Sequence, residues 1–190
     1  VVERMYEITK GEAIITTEVG QNQMWAAQFY KYHKPRTYLT SGGLGTMGYG
    51  LPAAIGAQMA FPDRLVVDVA GDGSIQMNIQ EMATALGNGV AVKVLVIDNN
   101  ALGMVHQWQR LFYHERYSCT EFTANPDFVK LAEAYGAEGY RIMTEEELAP
   151  TLKKALASPN TAIIDVVVEP EEDVYPMVPA GASLDEMLLV

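Results

Sequence analysis

Residues 65–86, LVVDVAGDGSIQMNIQEMATAL, carry the local pattern that decides the fold of this chain. The apolar run Leu65–Ala70 predicts a buried strand. The turn Gly71-Asp72-Gly73-Ser74 follows it, and Ile75–Leu86 has the spacing of an amphipathic helix. A strand, a tight turn and a helix in succession are typical of parallel sheets with helices on their faces.

Other apolar runs of this kind occur along the chain, which predicts that a strand next to a helix is repeated several times. Short β-branched runs predict buried strands, and each lies next to a helical pattern. We therefore predict the α/β class: a three-layer α/β/α domain over residues 1–168 with a mostly parallel sheet of five or six strands, followed by a C-terminal tail at 169–190. Besides the first run, the predicted strands are Ala13–Thr17, Val92–Ile97 and Thr161–Val168, with Tyr38–Ser41 and Glu138–Arg141 as shorter candidates.

Two helices have clear ends, and two segments fit no regular element. Asn125-Pro126-Asp127 predicts an N-cap, a proline at the first helical position and an acidic first turn, with Gly136 as the stop. Thr144 begins a second helix that runs to Pro159. We predict irregular functional loops for Gly103–Thr123 and for the tail, with the tail as an active-site lid.

Composition narrows the class of protein. A net charge of −11 argues against a nucleic-acid partner, because such modules concentrate lysine and arginine. Cys119 is the single cysteine, so no internal disulfide is available, and a reducing, cytoplasmic location is the simplest expectation. The apolar runs are too short to cross a membrane. The chain begins at Val1 with a structured pattern, which suggests part of a longer protein.

The GDGS turn also predicts a ligand. Its glycines let backbone amides approach a phosphate, yet Asp72 would repel one unless a divalent cation lay between them. Asn99, after the apolar run Val92–Ile97, supplies a second oxygen donor. Oxygen donors of this kind favour Mg²⁺. Taken alone, GDGS could equally be an ordinary turn that caps a helix.

Longer blocks carry a family resemblance. GDG, a helix, a strand and the doublet Asn99-Asn100 together resemble the thiamine-diphosphate enzyme superfamily. Within it, the chain resembles the acetohydroxyacid synthases (acetolactate synthases) along nearly its whole length. The similar blocks are GQNQMWAA at 20–27, GLGTMGYGLPAA at 43–54, LGMVHQWQ at 102–109 and VYPMVP at 174–179.

The resemblance implies a set of site residues. Met47 would hold the two cofactor rings in their bent conformation, although a core methionine is the alternative. Asn22 stands where the family usually has histidine, so a neutral amide replaces a possible cationic donor to the diphosphate. Metal ligands would be Asp72, Asn99 and the carbonyl of Ala101. Cofactor contacts would come from Gly20, Gln21, Asn22, Met47, Gly71, Asp72, Gly73, Ser74, Asn99, Ala101, Gly103 and Met104.

Substrate contacts are implied in the irregular segment. Met104 and Trp108 would face substrate, with Trp108 associated with choosing 2-ketobutyrate over pyruvate as the second substrate. A bulky indole suits such a choice, because one methylene is worth only about 1–3 kcal/mol in an apolar pocket. The alternative interpretation of Trp108 is a buried aromatic anchor.

The resemblance also implies an activity. An acetolactate synthase decarboxylates pyruvate and condenses the hydroxyethyl carbanion with a second 2-keto acid, in branched-chain amino acid biosynthesis. The family's catalytic Glu lies on a domain that this chain lacks, so no catalytic residue is expected here and the chain alone should be inactive. FAD would bind mainly outside these residues. The parent enzyme would be a dimer or tetramer, and a regulatory subunit is left open.

Two other functions stay open at this point. One is another thiamine-diphosphate-dependent decarboxylase, carboligase or oxidase, of the pyruvate oxidase or glyoxylate carboligase type, which would share GDGS and Asn99. The other is a nucleotide-binding module without catalysis. That module would need a G-x-G-x-x-G fingerprint or a Walker lysine, and the sequence has neither.

Overall fold

The computed structural model describes residues 1–189 and places a single six-stranded sheet at the centre of the chain. All neighbouring strands pair in parallel, in the order β2-β1-β3-β4-β6-β5 once the strands are numbered along the chain. All six predicted strands are confirmed. They are β1 (Ile14–Thr17), β2 (Tyr38–Leu39), β3 (Val66–Gly71), β4 (Lys93–Asp98), β5 (Glu138–Ile142) and β6 (Ala162–Val167).

Helices cover both faces of this sheet, which confirms the three-layer prediction. One apolar core packs α1, α2 and α8 against one face, and a second packs α3, α5 and α7 against the other. The helices are α1 (Val2–Thr9), α2 (Gln21–Phe29), α3 (Gly50–Ala60), α4 (Asp72–Ile75), α5 (Met82–Gly87), α6 (Gly103–Phe112), α7 (Phe128–Tyr135) and α8 (Glu145–Ala157), with 3₁₀ turns at Ile79–Glu81 and Leu184–Glu186.

The strand order creates a crevice at one edge of the sheet. From β1 the chain passes through α2 to β2, and it then returns through α3 to β3 on the other side of β1. The loop that leaves β1 leads to α2, and the loop that leaves β3 leads through α4 to α5 on the opposite face, so these two loops diverge. Open α/β sheets bind their ligands at such a point, outside the carboxyl ends of the strands.

The prediction of one continuous helix over Ile75–Leu86 is wrong, because this segment is broken into shorter elements. The chain forms α4, then a turn, then the 3₁₀ turn, and only then α5. The break lies at Asn78, whose backbone leaves the helical region and whose Nδ2 donates to the carbonyl of Gly48 at 2.7 Å. A tertiary hydrogen bond therefore competes with the helix at a residue type that readily makes such bonds.

The irregular structure predicted for the whole of Gly103–Thr123 is also wrong, because α6 occupies its first half. The buried face of α6 is polar: His106 and Gln107 are the buried residues, whereas Trp108 is exposed. The apolar residues Val105, Trp108 and Phe112 have the spacing of a helical stripe, but they are exposed, so the apolar face of α6 is not the face that packs on the domain. Gln107 is satisfied by the tail and by Gln21, and His106 lies 3.4 Å from a carboxylate oxygen of Glu121.

The cap predicted for α7 is displaced by two residues. Asp127, and not Asn125, is the N-cap, and its carboxylate accepts from the N–H groups of Val129 and Lys130. The predicted stop at Gly136 is confirmed, with φ of 89°. Asn125 is thereby free to make other contacts.

The tail packs on α2 and α6. Val174 is buried, and the side chain of Gln107 bonds to both its N–H and its carbonyl. Gln28 donates to the carbonyl of Tyr175 at 2.9 Å, and Arg110 forms an ion pair with Asp173. The final residue of the predicted tail, Val190, lies outside the described residues. Across residues 1–189, no helix is both long and apolar enough to span a membrane.

Candidate functional site

A cavity of about 190 Å³ lies at the carboxyl ends of β1, β3 and β4, in the crevice described above. The structure brings all twelve residues predicted to contact the cofactor into its lining, although they are spread from position 20 to position 104. They are Gly20, Gln21, Asn22, Met47, Gly71, Asp72, Gly73, Ser74, Asn99, Ala101, Gly103 and Met104. Their functional roles stay predictions, but their convergence is a property of the fold.

The GDGS turn forms one wall of this cavity. The Ser74 hydroxyl accepts from the N–H of Gly71 at 3.1 Å, and Asp72 Oδ1 accepts from the N–H of Gly73 at 3.0 Å. A Cβ on Gly73 would lie 2.8 Å from both Leu102 Cδ2 and Phe122 Cζ. Glycine is therefore required here by close packing, and it leaves bare backbone facing the cavity.

Asp72 is almost completely buried within this wall. The pKa of Asp72 is raised to about 7: burial is the largest influence, the hydrogen bond from Asn125 opposes the shift, and the neighbouring carboxylate of Asp98 adds to it. Asn125 Nδ2 lies 2.7 Å from Asp72 Oδ2. The raised pKa means that the surroundings stabilise the ionised form of Asp72 poorly. A buried carboxylate in this situation is well suited to bind a cation.

The second predicted metal ligand lies on the neighbouring strand end. Asn99 is buried, its Oδ1 accepts from the N–H of Ala101 at 3.3 Å, and its Nδ2 donates to Gln21 Oε1 at 3.1 Å. These two hydrogen bonds orient the side-chain amide of Asn99 so that its oxygen faces the loop that leads to Ala101. In residues 1–189 no cluster of three or more His, Cys, Asp or Glu could hold a metal. The available donors are oxygens, which fit Mg²⁺.

Gln21 links the cavity to α6 and the tail. Its Nε2 donates to Gln107 Oε1 at 3.2 Å and to the carbonyl of Glu172 at 2.9 Å, so both amide hydrogens are engaged. A Cβ on Gly103 would lie 1.9 Å from Gln21 Oε1, so glycine is needed for this approach. Gln21 was predicted to contact the cofactor, and to donate to a diphosphate it would have to release one of these bonds.

Asn22 has a partly structural role. Its Nδ2 donates to the carbonyl of Val69 at 2.8 Å, which ties α2 to β3. Asn22 is buried, and one of its two amide hydrogens is engaged by this bond. The side chain can offer the other hydrogen to a ligand, at the position where the resembling family usually has a histidine.

Met47 lies on a loop that a buried acid holds in place. Glu18 Oε2 accepts from the N–H of Gly48 at 2.6 Å, and Glu18 Oε1 accepts from the N–H of Leu51 at 3.1 Å. Burial raises the pKa of Glu18, whereas these backbone hydrogen bonds oppose the shift. The bonds fix the start of α3 and, with it, the half-buried side chain of Met47 at the cavity.

Of the two residues predicted to contact substrate, one lies in the cavity lining and the other lies outside it. Met104 lines the cavity, whereas Trp108, one helical turn further along α6, lies outside its lining and is 46% exposed. Trp108 meets Phe112 edge to face, with ring centroids 6.1 Å apart. The alternative of a buried aromatic anchor is therefore wrong, and Trp108 is available on the surface of α6.

Sequence reasoning missed three residues of this region. Glu18 directly follows a buried strand at the ligand-binding edge of the sheet, a position that could have identified it. Gln107 and Asn125 lay in segments that were interpreted as an irregular loop and as a helix cap. Nothing in their local sequence indicates partners on β3, on β4 or in the tail, so only the fold identifies them.

Comparison with known proteins agrees with this geometry. Residues 18–166 match the family described as "Thiamine pyrophosphate enzyme, C-terminal TPP binding domain". The "Acetolactate synthase isozyme 3 large subunit" of Escherichia coli is 50% identical over 192 residues, which cover 100% of this chain and 33% of that protein. The "Acetolactate synthase catalytic subunit, mitochondrial" of Saccharomyces cerevisiae is 50% identical over 180 residues, covering 95% of this chain and 26% of that protein.

The chain thus spans about a third or less of the length of these relatives. The family match is incompatible with a nucleotide-binding module unrelated to thiamine diphosphate, which was one of the two alternatives. It covers the strands and loops that build the cavity, from Glu18 after β1 to Val166 within β6. The chain therefore belongs to the thiamine pyrophosphate enzyme family and contains the C-terminal domain with which that family binds its cofactor.

Proposed function

We propose that this chain is the C-terminal cofactor-binding part of an acetolactate synthase, which joins pyruvate to a second 2-keto acid in branched-chain amino acid biosynthesis. The observation that carries the proposal is the near-50% identity to acetolactate synthases along the whole chain. That identity extends beyond the GDGS turn and Asn99, which other thiamine-diphosphate decarboxylases, carboligases and oxidases would share. The alternative of another enzyme type rests on those shared motifs alone.

Mg²⁺ and the diphosphate fit the residues of the cavity. Asp72, Asn99 and the carbonyl of Ala101 would supply oxygen ligands to the metal. The bare backbone of Gly71, Gly73 and Gly103 would admit phosphate oxygens without a Cβ in the way. A cation between Asp72 and the diphosphate would remove the repulsion between the two anions.

The remaining cavity residues would orient the organic part of the cofactor. When bound, thiamine diphosphate supplies the carbanion chemistry, so the protein has to bind, orient and shield it. Met47, held by Glu18 through the start of α3, would support the rings from one side. Met104 would face substrate across the cavity, and Trp108 would act only after a movement of α6 or beside another domain.

Other parts of the activity would lie outside this chain. The base that activates the cofactor, the FAD site and most of the substrate pocket would come from the remaining two-thirds of a longer enzyme. That enzyme would be a homodimer or tetramer, and a regulatory subunit would be an additional partner. The tail at 169–190 would act as a lid. We propose a cytoplasmic location, unlike that of the yeast relative, which is named as mitochondrial.

A titration of the chain with Mg²⁺ and thiamine diphosphate, followed by amide NMR, tests the site. We expect Mg²⁺-dependent shifts centred on Gly73, Ser74 and Asn99 in the wild type, and none in Asp72→Ala. Asn88→Ala, on the exposed end of α5, serves as the matched control and should behave as the wild type. The absence of shifts near Asp72 in a folded wild-type chain at saturating ligand would contradict the proposed site.

An assay of the proposed full-length enzyme separates the two enzyme types. Supplied with pyruvate alone, an acetolactate synthase should form acetolactate. Formation of acetaldehyde or acetyl phosphate in its place would instead identify a decarboxylase or oxidase. We expect the isolated chain to form no acetolactate, because it lacks the base that family members use.

A further inference from the structure

Asp72 and Asp98 are brought side by side by the register of the sheet. β3 and β4 pair Gly71 with Ile97, and the next residues along the chain are Asp72, which begins α4, and Asp98, which ends β4. Both side chains are buried. Two carboxylates in one poorly solvated place repel each other, and the repulsion is strong where water is excluded. Some group must therefore hold them in place.

Asn125 is that group. Its Nδ2 donates to Asp72 Oδ2 at 2.7 Å and approaches Asp98 Oδ1 and Asn100 Oδ1 at 3.2 Å each. The amide thus offers its two hydrogens to two carboxylates and one amide oxygen. The shortest of these contacts is the one to the predicted metal ligand.

The backbone around Asn125 keeps the amide in this place. Pro126 restricts the preceding residue to extended conformations, and Asp127 then caps α7. α7 is anchored in the core by the fully buried Phe128. The side chain of Asn125 is therefore presented to the strand ends by a fixed helix start, and not by a free loop.

The hydrogen bonds of Asp72 leave it prepared for a cation. Oδ1 accepts from the N–H of Gly73 and Oδ2 accepts from Asn125, so each oxygen keeps a further lone pair. Donors that bind the oxygens of a ligating carboxylate fix its orientation, and their loss typically lowers metal affinity 10- to 100-fold. Asn125 occupies the position of such a donor.

We propose that Asn125 is a positioning residue of the magnesium site, whose amide separates Asp72 from Asp98 and fixes the Asp72 carboxylate at the cavity. The inference rests on the proposed function, since it needs a metal to be bound by Asp72. Asn125, which is 53 positions away from Asp72 in the sequence, would thus belong to the residues that shape the metal site. Asn125 itself makes no contact with the cofactor.

The test measures metal affinity directly. Mg²⁺ is titrated calorimetrically into the chain in the presence of thiamine diphosphate, for the wild type, Asn125→Ala and Asn125→Ser. We expect roughly 10- to 100-fold weaker binding for Asn125→Ala. Asn125→Ser keeps one hydroxyl donor, should lose less, and serves if the alanine variant does not fold. Asn88→Ala, which also loses an amide donor, should bind as the wild type does.

A second readout separates positioning from general stability. With Mn²⁺ in place of Mg²⁺, the electron paramagnetic resonance spectrum should broaden in Asn125→Ala, because a freely rotating carboxylate gives a less regular ligand geometry. Wild-type affinity together with a wild-type spectrum in Asn125→Ala would overturn the inference and leave the proposed function intact. Failure of the wild-type chain to bind Mg²⁺ would overturn both.

Discussion

The side chain of Gln107 pairs with the backbone of Val174 through two hydrogen bonds of 3.0 Å each: Nε2 donates to the carbonyl, and Oε1 accepts from the N–H. Gln107 has no exposed surface, and its Oε1 also accepts from Gln21, which in turn accepts from Asn99. Two side-chain amides, those of Gln107 and Gln21, thus join the tail to Asn99, a predicted metal ligand. Buried hydrogen bonds of this kind are costly to break.

We expect Gln107→Ala to release the tail. Leaving the N–H and carbonyl of Val174 without partners should cost about 1–3 kcal/mol, which corresponds to roughly 5- to 150-fold faster exchange of the Val174 amide hydrogen. Hydrogen exchange read by NMR measures this. Gln28→Ala is the control: it removes one exposed bond to Tyr175 and should change tail exchange by less than about fivefold. Equal effects of the two variants would argue against a special role for Gln107.

Two glycines of α3 should respond in opposite ways to alanine. A Cβ on Gly50 would lie 2.2 Å from Asp68 Oδ1 and within 2.8 Å of the backbone of Thr17 and Glu18. We therefore expect Gly50→Ala to reduce the free energy of unfolding by about 3 kcal/mol. Gly56 has nothing within 4 Å, so Gly56→Ala should raise it by about 0.5–1 kcal/mol. Urea unfolding of both variants checks the contrast, which would fail if they shifted alike.

Met104 and Trp108 should differ in their effect on cofactor affinity. Met104 lines the cavity, so Met104→Ala removes apolar contact worth about 1–2 kcal/mol and should weaken thiamine diphosphate binding roughly 5- to 30-fold. Trp108 lies outside the lining, so Trp108→Ala should leave the dissociation constant within about twofold. Calorimetric titration of the chain with saturating Mg²⁺ provides the comparison. A large loss in Trp108→Ala would mean that α6 turns when the cofactor binds.

Glu138 should contribute to stability at neutral pH and lose that contribution in acid. Its carboxylate accepts from Tyr140, Asn160 and Ser158, and these hydrogen bonds lower its pKa from 4.5 to about 2. Because the folded state holds the ionised form, the stabilisation is present above pH 4.5 and is lost as the pH falls toward 2.

The group is partly solvated, so we expect a contribution on the order of 1 kcal/mol. Urea unfolding at pH 6 and pH 3 should therefore show the wild type losing about 1 kcal/mol more than Glu138→Gln. Glu133→Gln, at an exposed position of α7, controls for general acid effects and should lose as much as the wild type. Parallel losses in wild type and Glu138→Gln would contradict the assignment.

Most of the fold could be predicted from the sequence, and so could most of the cavity lining. β3 and β4 are buried on both faces and therefore appear as mainly apolar, β-branched runs, apart from Asp68 within β3 and the two end residues of β4. Such runs indicate parallel strands without any partner being known. Because parallel strands end at the same edge, residues that directly follow them, such as Asp72 and Asn99, had to lie near one another. The sequence also carried the family resemblance that extends these positions to Met47 and Ala101.

The exceptions share one physical cause. The apolar residues of α6 lie on its exposed face and polar residues fill its buried face, so the sequence pattern did not show how this segment packs. The predicted helix after Ile75 is too long because Asn78 bonds to Gly48. Both depend on hydrogen bonds between residues far apart in the chain, which leave no periodic trace in the sequence.

The sequence by itself determined the strands, the covering helices and the oxygen donors at the strand ends, because burial and backbone geometry act locally and repeat with a fixed period. Only the tertiary structure decided that Asn125 lies between Asp72 and Asp98, that Gln107 holds Val174, and that Trp108 lies outside the cavity. An amide has the same local propensities wherever it occurs, and its role is set by the buried donors and acceptors that folding brings within about 3 Å of it.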